Sequence, residues 1–418
     1  MHDQTVTRRR RRCFLLVLAG ALSLLGVLVP SSGQAAGMIT WTGTDTKDVD
    51  GDTVWVDIAG DGRGPVQVRN SGIQTMEYGE CHAAAASARM AALTTGKDVR
   101  LSSSSASYQV LNRPLRFVDV LTGSGTVDPQ LAQLREGHAL WINMAGESQR
   151  GHEYHLAMEQ AAAAGHNLWD RTGCGVGPQS SITPSMWVKY DADLVDTEAT
   201  GKATEFVRIH NPSSARLDLT GWWLRDASHY PRYYFPSRTT VAPHSTISVY
   251  NSSGTDTAIS LYWPRTRGFP NPASQADDVG ASMYLVDPLS NIRSHISYPC
   301  VYRCTKPALT ITKVVDDAPG SDYENLNGEV VSIQVVGTKP VDLSRVEVTL
   351  GGHVFTMGPD QSLRPGETIH MHSGKGRNSR LEKYWNYDHP LLAPAGTIRL
   401  RTTETVPIAC RARGGTSC

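Results

Sequence analysis

The sequence predicts a mainly β, multidomain protein in which a five-stranded barrel with about three helices precedes two β-sandwiches. Apolar residues alternate along short runs such as 54–58, and the composition shifts to Pro, Thr, Ser and Tyr beyond Pro178. A pattern that begins at Glu205 also returns at Glu329. Alternation with a period of two is typical of half-buried strands. With 418 residues, the chain is long enough for two to four domains.

The first 36 residues predict an export signal that is removed from the mature protein. Arginines 8–12 precede an apolar run at 13–29, and small residues of a cleavage region follow at 31–36. A membrane anchor is the alternative, but a spanning helix needs about 20 residues and the run is shorter. We therefore expect a secreted, extracellular protein with no membrane span in the mature chain. Residues 11–15 resemble a twin-arginine motif, which makes export of the folded chain a second route.

The stretch 49–77 carries the residues that we expect to do chemistry. An acidic turn at 50–53 precedes a strand at 54–58, and a turn leads to the returning strand 66–69. Arg69 and Glu77 follow, so carboxylates and an arginine leave adjacent strands, where they suit a divalent cation and a phosphodiester.

The elements that follow suit a small Greek-key barrel of the OB type, whose groove commonly binds oligonucleotides. The sequence predicts helices at 81–95, 129–137 and 152–166, and strands at 99–101 and 115–121. On the third helix we expect His152, His155 and His166 to lie at the surface, because no cysteine or carboxylate pattern completes a metal site with them.

Four motifs in this part resemble the staphylococcal-nuclease-like (thermonuclease) family. They are D-G-D-T-V at 50–54, V-R-x-x-G-I-x-T-x-E at 68–77, N-R-P-L-R-F-V at 112–118 and N-L-W-D at 167–170. The resemblance covers roughly 43–174 and implies a nuclease domain at 37–176. It also implies that Glu77 is the general base and that Arg69 and Arg113 stabilise the phosphorane-like transition state of phosphodiester hydrolysis in DNA or RNA.

The resemblance further implies a calcium site, which this sequence alters. Asp52 matches a calcium ligand of the family, and Thr75 would contribute its carbonyl oxygen. Gln74 stands where the family has a second calcium-binding aspartate, so the site loses one formal charge and calcium affinity falls. We expect Asp50 to compensate and calcium to remain the cofactor.

The charge balance keeps a second class of function open. Residues 37–180 carry 11 Lys and Arg against 16 Asp and Glu, whereas nucleic-acid-binding domains usually show a basic face. The alternative to a secreted, calcium-assisted nuclease is therefore a non-catalytic extracellular protein that binds nucleic acid or a surface and has a decayed metal site.

The part beyond a predicted linker at 177–185 contains a duplicated pattern. E-F-V-R-I-H-N at 205–211 and L-D-L-T-G-W-W-L at 217–224 resemble the lamin tail domain, an immunoglobulin-like β-sandwich. A divergent second copy follows at an offset of 124. The resemblance implies lamin tail domains at 186–300 and 307–410. We expect them to tether the protein to a cell-surface or polymer ligand, or to recruit substrate, and we expect a monomer.

Six cysteines remain after removal of the signal, and an even number in an exported chain indicates disulfides. Cys81 and Cys174 are the two in the part that resembles the nuclease family, so we expect them to pair. The other four lie at the ends of the two downstream repeats and are expected to pair among themselves, in a pattern that the sequence leaves open. They are Cys300, Cys304, Cys410 and Cys418.

Overall fold

The computed structural model describes residues 37–144, 147–190, 205–265, 268–269, 280–321, 323–359, 361–392 and 395–418. The predicted export signal at 1–36 lies outside these described residues. In the part of the chain that the structure describes, no helix is both long and apolar enough to cross a membrane. We call 37–176 the N-terminal domain, 186–300 the first sandwich and 307–410 the second sandwich.

The N-terminal domain combines nine strands with three α-helices. The strands are β1 (Ile39–Asp48), β2 (Thr53–Ile58), β3 (Val66–Asn70), β4 (Ile73–Gln74), β5 (Asp98–Ser103), β6 (Gln109–Val110), β7 (Arg113–Thr122), β8 (Gly125–Val127) and β9 (Leu140–Trp141). The helices are α1 (Ala83–Thr94), α2 (Pro129–Arg135) and α3 (Gly151–Ala164).

Five of these strands pair in a ring. β1 pairs with β2 and β5, β5 with β7, and β2 with β3, all antiparallel. β3 then pairs in parallel with β7, which returns the order to its start. Val54, Val56 and Val68 are fully buried, because successive side chains of a strand point to opposite faces and one face turns inward. The alternation in the sequence therefore predicts the buried face of the ring.

The first sandwich consists of two four-stranded sheets that share one hydrophobic core. Its strands are β10 (Ser185–Lys189), β11 (Phe206–His210), β12 (Leu217–Asp218), β13 (Trp223–Asp226), β14 (Tyr233–Tyr234), β15 (Thr240–Val241), β16 (Thr246–Tyr250), β17 (Ser260–Tyr262), β18 (Ala281–Val286) and β19 (Ile292–Tyr298). The sheet orders are β10-β11-β16-β17 and β14-β13-β18-β19, and β12 pairs with β15. Val207 and Val249 of one sheet share the core with Leu224 and Leu285 of the other.

The second sandwich repeats this topology strand for strand. Its strands are β20 (Leu309–Val315), β21 (Val330–Val335), β22 (Val341–Asp342), β23 (Val346–Leu350), β24 (His353–Thr356), β25 (Ser362–Leu363), β26 (Thr368–His372), β27 (Glu382–Tyr384), β28 (Gly396–Thr402) and β29 (Pro407–Arg413). The sheet orders are β20-β21-β26-β27 and β24-β23-β28-β29. Even the parallel pair β16 and β17 has its counterpart in β26 and β27. The duplication inferred from the sequence is present in the fold.

The N-terminal domain packs directly on the first sandwich. Glu159 of α3 accepts a hydrogen bond from the Ser297 hydroxyl at 2.6 Å and lies 3.2 Å from Nε2 of His295. Burial alone raises the pKa of Glu159, but the charge of His295 and both hydrogen bonds lower it to about 2. The Trp169 and His295 rings lie 4.7 Å apart, and the Tyr284 hydroxyl lies 3.3 Å from the sulfur of Met158.

One prediction needs correction in the light of this packing, and the predicted linker has contacts that its composition did not indicate. His155, expected at the surface of α3, is fully buried, because that side of the helix is covered by β9 and the ring stacks on Trp141 at 4.1 Å. The predicted linker at 177–185 is bound to the first sandwich. Arg293 donates to the main-chain carbonyls of Pro178, Gln179 and Ile182 at 2.8 to 3.0 Å.

Candidate functional site

The acidic turn between β1 and β2 places Asp52 inside the protein. Gly51 has φ +88°, and a Cβ there would lie 2.9 Å from the carbonyl carbon of Ala86, so glycine suits the point where the turn meets α1. Asp52 is only 3% exposed. Its Oδ2 accepts a hydrogen bond from the Thr75 main chain at 3.0 Å, and its Oδ1 accepts one from the Thr53 hydroxyl at 3.2 Å.

Arg69 is buried behind this turn, where the β2–β3 register places it opposite Thr53. Its Nη1 donates to the carbonyls of Asp52 at 3.2 Å and Asn70 at 2.7 Å. Its Nη2 donates to Oε1 of Gln74 at 2.9 Å and lies 3.2 Å from Oδ2 of Asp52. Both terminal nitrogens are therefore engaged inside the protein. In this arrangement the donors of the guanidinium hold the turn, whereas the resemblance implies that they bind a phosphate.

Gln74 is the last residue of β4, and its side chain connects Arg69 to Glu77. A guanidinium only donates, so the amide oxygen of Gln74 must face Arg69 and the amide nitrogen must face the other way. That nitrogen donates to the Thr75 carbonyl at 3.1 Å and to Oε1 of Glu77 at 3.2 Å. The residue that departs from the nuclease pattern thus has three partners at the centre of the site.

Arg113 approaches the same turn from β7. Leu111 and Asn112, with φ of 51° and 63°, form the tight turn after β6, and positive φ at both central residues is the signature of a type I′ hairpin. The half-buried Arg113 donates from Nη1 to the Thr53 hydroxyl at 3.0 Å. Because Thr53 donates in turn to Asp52, the three side chains form one chain of hydrogen bonds.

Glu77 is the more accessible acid of the site, with 39% of its side chain exposed. Burial raises its pKa, and so do the charges of Asp52 and Glu80, whereas Arg225 and Arg69 partly offset them. Its main-chain N–H donates to Oε2 of Glu80 at 3.0 Å, which orients the backbone. A general base works best with a pKa near the working pH, so this environment moves Glu77 in the useful direction.

Asp50 has a different environment from Asp52. Burial, together with the charge of Asp52, raises the pKa of Asp50 to about 6. Its Oδ1 atom is buried and has no hydrogen-bond partner among the described residues. Its main-chain carbonyl accepts from the Thr75 hydroxyl at 2.8 Å.

The four expected calcium ligands do not fit a calcium ion as they are arranged. Calcium takes six to eight oxygen ligands. Oδ2 of Asp52 is paired with Arg69. The Gln74 oxygen accepts from the same guanidinium, and the Thr75 carbonyl accepts from the Gln74 amide. Asp50 alone of the four keeps an oxygen without a partner among the described residues. Apart from Oδ1 of Asp50, the oxygens that would meet a cation already accept hydrogen bonds within the protein.

The cysteines pair as expected within each part of the chain. Cys81 is joined to Cys174, which confirms the predicted pair. The pattern that the sequence left open is Cys300 with Cys304 and Cys410 with Cys418. The Cys81–Cys174 disulfide links the start of α1 to the chain beyond α3, beside the Glu77–Glu80 turn.

A loop of the first sandwich reaches this turn. Arg232 forms an ion pair with Glu80, and their side chains are 8% and 15% exposed. Arg232 also donates from Nη2 to Nδ1 of His229 at 2.7 Å. The His229 Nδ1 atom lies 3.7 Å from Oε1 of Glu77. The predicted site therefore has neighbours from a second part of the fold.

Comparison with known proteins identifies the part of the chain to which this loop belongs. Residues 190–299 match the family model of the Lamin Tail Domain. This match confirms the expectation for the first sandwich, whose topology is described above. No curated protein matches the chain in a sequence search.

The loop of this lamin tail domain between β13 and β14 is the part of the site that sequence reasoning missed. Of the aromatic residues around it, Trp222, Trp223 and Tyr233 are buried. Nothing in the spacing of His229 and Arg232 indicates contact with a segment some 150 residues earlier. The one available sign in the sequence was that His229 and Arg232 lie in a loop between two short aromatic strands and had no predicted role.

Proposed function

We propose that the N-terminal domain is a nuclease-like domain with an OB-type barrel that hydrolyses phosphodiester bonds of nucleic acid. The observation that carries this proposal is the unbroken network from Arg113 through Thr53, Asp52, Arg69 and Gln74 to Glu77. The residues singled out by their resemblance to the thermonuclease family lie together. They come from β7, the turn after β1, β3, β4 and the segment that follows β4.

Glu77 acts as the general base in this proposal. It accepts a proton from water as the water oxygen bonds to phosphorus, and the bond from phosphorus to the leaving oxygen breaks. That oxygen receives a proton from solvent. Partial exposure lets substrate reach the carboxylate, and a raised pKa makes it a stronger base than an ordinary glutamate.

Arg113 supplies the positive charge that faces the substrate. Its Nη1 is held by Thr53, whereas its Nη2 donates to no described residue and the side chain is only half-buried. A charge-assisted hydrogen bond from such a guanidinium stabilises the extra negative charge that develops on the phosphoryl oxygens. Arg69 is a positioning residue, since it holds Asp52 and Gln74 rather than the phosphate.

The two sandwiches extend this proposal outside the site. The second sandwich, with the same strand order as the first, is a divergent lamin tail domain. Together they tether the protein or recruit substrate. Disulfides of secreted proteins form in oxidising compartments, so the three present here support secretion.

A non-catalytic binding protein is the second candidate, and one observation favours it. Arg69 and the Gln74 amide occupy the oxygens expected to bind calcium. A site that had lost its metal and its activity would show this closure. Binding of nucleic acid without cleavage would then be the remaining function.

A digestion assay separates the two candidates. The purified mature chain is incubated with single-stranded and double-stranded DNA and with RNA, each in calcium and in chelator. If the domain is a nuclease, at least one substrate should give shortened products. Because the expected calcium ligands are already hydrogen-bonded within the protein, we expect these products in chelator as well. If the protein binds the substrate tightly but leaves it intact in every condition, the non-catalytic binding protein is the better interpretation.

A further inference from the structure

The loop of the first sandwich between β13 and β14 is built into the candidate site and does not merely touch it. The Arg232 guanidinium lies 4.2 Å from the centre of the Trp223 ring and is ion-paired with Glu80. The second oxygen of Glu80 accepts the main-chain N–H of Glu77 at 3.0 Å. A buried arginine of the sandwich thus orients the turn that carries the proposed general base.

The same arginine sets the chemistry of His229. Because a guanidinium only donates, Nδ1 of His229 accepts from Arg232, and the neutral ring carries its proton on Nε2. Burial lowers the pKa of His229 to about 4, and the charges of Arg232 and Arg225 act in the same direction, so the ring is neutral at pH 7. The Nε2–H group donates to no described residue, and the side chain is 22% exposed. His229 therefore offers an oriented Nε2–H donor without a partner among the described residues, while the Nδ1 atom of the same ring lies 3.7 Å from Oε1 of Glu77.

Positive charge from the sandwich accompanies this donor. Arg225 is 1% exposed, and its Nη2 donates to the Ala227 carbonyl at 2.7 Å. Its Nη1 is buried and has no hydrogen-bond partner among the described residues. The charge of Arg225 is among those that lower the pKa of Glu77. Arg225 and Arg232 of the first sandwich thus add positive charge to that of Arg113 in the N-terminal domain.

Two exposed tyrosines adjoin the residues of this contact in the sequence, one in the N-terminal domain and one in the first sandwich. Tyr78, next to Glu77, is fully exposed, and Tyr230, next to His229, is 69% exposed. Exposed aromatic rings beside a phosphate-binding group are the usual means of holding a single strand, since every base offers a face for stacking.

We propose that the site is composite, and that the lamin tail domain binds the substrate strand through the Nε2–H of His229, which donates to a phosphate oxygen, and through Tyr230, which stacks on a base. This inference rests on the proposed function and deepens it, since it names single-stranded nucleic acid as the substrate class. It also gives the first sandwich a role inside the site in addition to tethering.

The experiment compares full-length wild type with His229→Ala and His229→Gln on one fluorescein-labelled single-stranded oligonucleotide. Loss of a hydrogen bond to a charged group raises KM at least tenfold in His229→Ala, with little change in kcat. His229→Gln keeps an N–H donor and recovers part of the affinity. His152→Ala, which removes an exposed histidine of α3, is the matched control and keeps wild-type values. Thermal unfolding of each variant verifies the fold.

Tyr230→Ala provides a second, independent variant at an exposed position. Base stacking on one aromatic side chain contributes about 1–3 kcal/mol, so KM rises about 5-fold to 150-fold on single strands. On a blunt duplex, where bases are already stacked, the change is smaller. A tyrosine that is merely structural would not distinguish the two substrates.

The outcomes separate this inference from the proposed function. If wild type cleaves and both His229→Ala and Tyr230→Ala have wild-type KM, the composite site is wrong and the nuclease proposal stands. If wild type does not cleave, fluorescence anisotropy with the same oligonucleotide decides. Weaker binding by His229→Ala then supports the composite site without catalysis. Equal binding by both proteins, or none, overturns it.

Discussion

Arg69 donates from Nη2 to the side-chain oxygen of Gln74 at 2.9 Å, and this one hydrogen bond orients the centre of the site. It forces the Gln74 amide nitrogen toward the Thr75 carbonyl and Glu77. A carboxylate at position 74 would have no N–H to offer, and its negative charge would favour a cation. The exchange of an acid for an amide therefore changes which groups occupy the site.

Replacement of Gln74 by aspartate should create calcium binding. Gln74→Asp removes the amide donor and adds a charge near Asp52 and Asp50. We expect calcium to raise the melting temperature of the variant but not of wild type. At calcium concentrations of 100 times Kd, the gain in unfolding free energy is about 2.7 kcal/mol. Gln109→Asp, at an exposed position on β6, is the control. An equal calcium-dependent shift in wild type would show that the native site already binds the ion.

Removal of the Arg113 guanidinium should reduce the hydrolysis rate while the fold persists. Loss of one transition-state donor costs on the order of 10²–10³ in rate. Arg113→Ala should show this loss in kcat on a short oligonucleotide. Arg135→Ala removes a guanidinium that is 61% exposed and paired with Glu153, and it should keep the wild-type rate. Equal rates for the two variants would remove Arg113 from the mechanism.

Stability in mild acid should depend on His155. Burial lowers the pKa of His155 to about 4, below the ordinary value of 6.5, so the folded state favours the neutral ring. The resulting stability is complete above pH 6.5 and is lost as the pH falls toward 4. His155→Phe keeps a ring against Trp141 and should remove about 2–3 kcal/mol of this pH dependence. Urea unfolding at pH 7 and pH 4.5 measures it, and an unchanged difference between the two pH values would contradict the assignment.

The N-terminal domain should be less protected when it is separated from the first sandwich. In the full chain, Glu159 and Met158 of α3 contact Ser297, His295 and Tyr284. A fragment of residues 37–179 loses these partners. Amide hydrogens of α3 should then exchange faster than in the full chain, because local opening costs less free energy. Identical exchange rates in fragment and full chain would show that the interface contributes no stability to the helix.

Much of the fold follows from local patterns in the sequence. The predicted helix at 129–137 is α2, which begins after the N-cap Asp128 with Pro129 in its first turn, and both are strong local signals. The duplication at an offset of 124 predicts the two sandwiches, because equal spacing of apolar residues produces equal strands. The position of a helix or strand depends mainly on neighbouring residues, so it can be predicted from a single sequence.

Contacts between distant segments were not predictable in the same way. The linker prediction at 177–185 used glycine, proline and serine content, whereas the segment is held through main-chain carbonyls that every residue possesses. The sequence predicts a surface position for His155 because no metal-site pattern includes it, and nothing in the helix pattern shows what packs against each face. The partners of Arg69 were missed for a related reason, since a resemblance implies a role but not which donors are already engaged.

The pH dependence of hydrolysis should reflect Glu77. Its pKa is raised, first by burial and then by the charges of Asp52 and Glu80. A general base is active only when ionised, so kcat should fall on acidification at a higher pH than it would with a glutamate of ordinary pKa. Glu80→Gln removes one of the two charges and should move the acid limb of the profile to lower pH. An acid limb at unchanged pH would show that the charge of Glu80 does not affect the pKa of the base.

The most direct test of the account is hydrolysis of one labelled single-stranded oligonucleotide by the full chain and by Glu77→Gln, followed in calcium and in chelator. Glu153→Gln, which neutralises an exposed acid of α3, is measured alongside. We predict cleavage by wild type and by Glu153→Gln in both conditions, and a loss of about 10²–10⁴ in rate for Glu77→Gln. Equal cleavage by wild type and Glu77→Gln, or none by wild type, would contradict it.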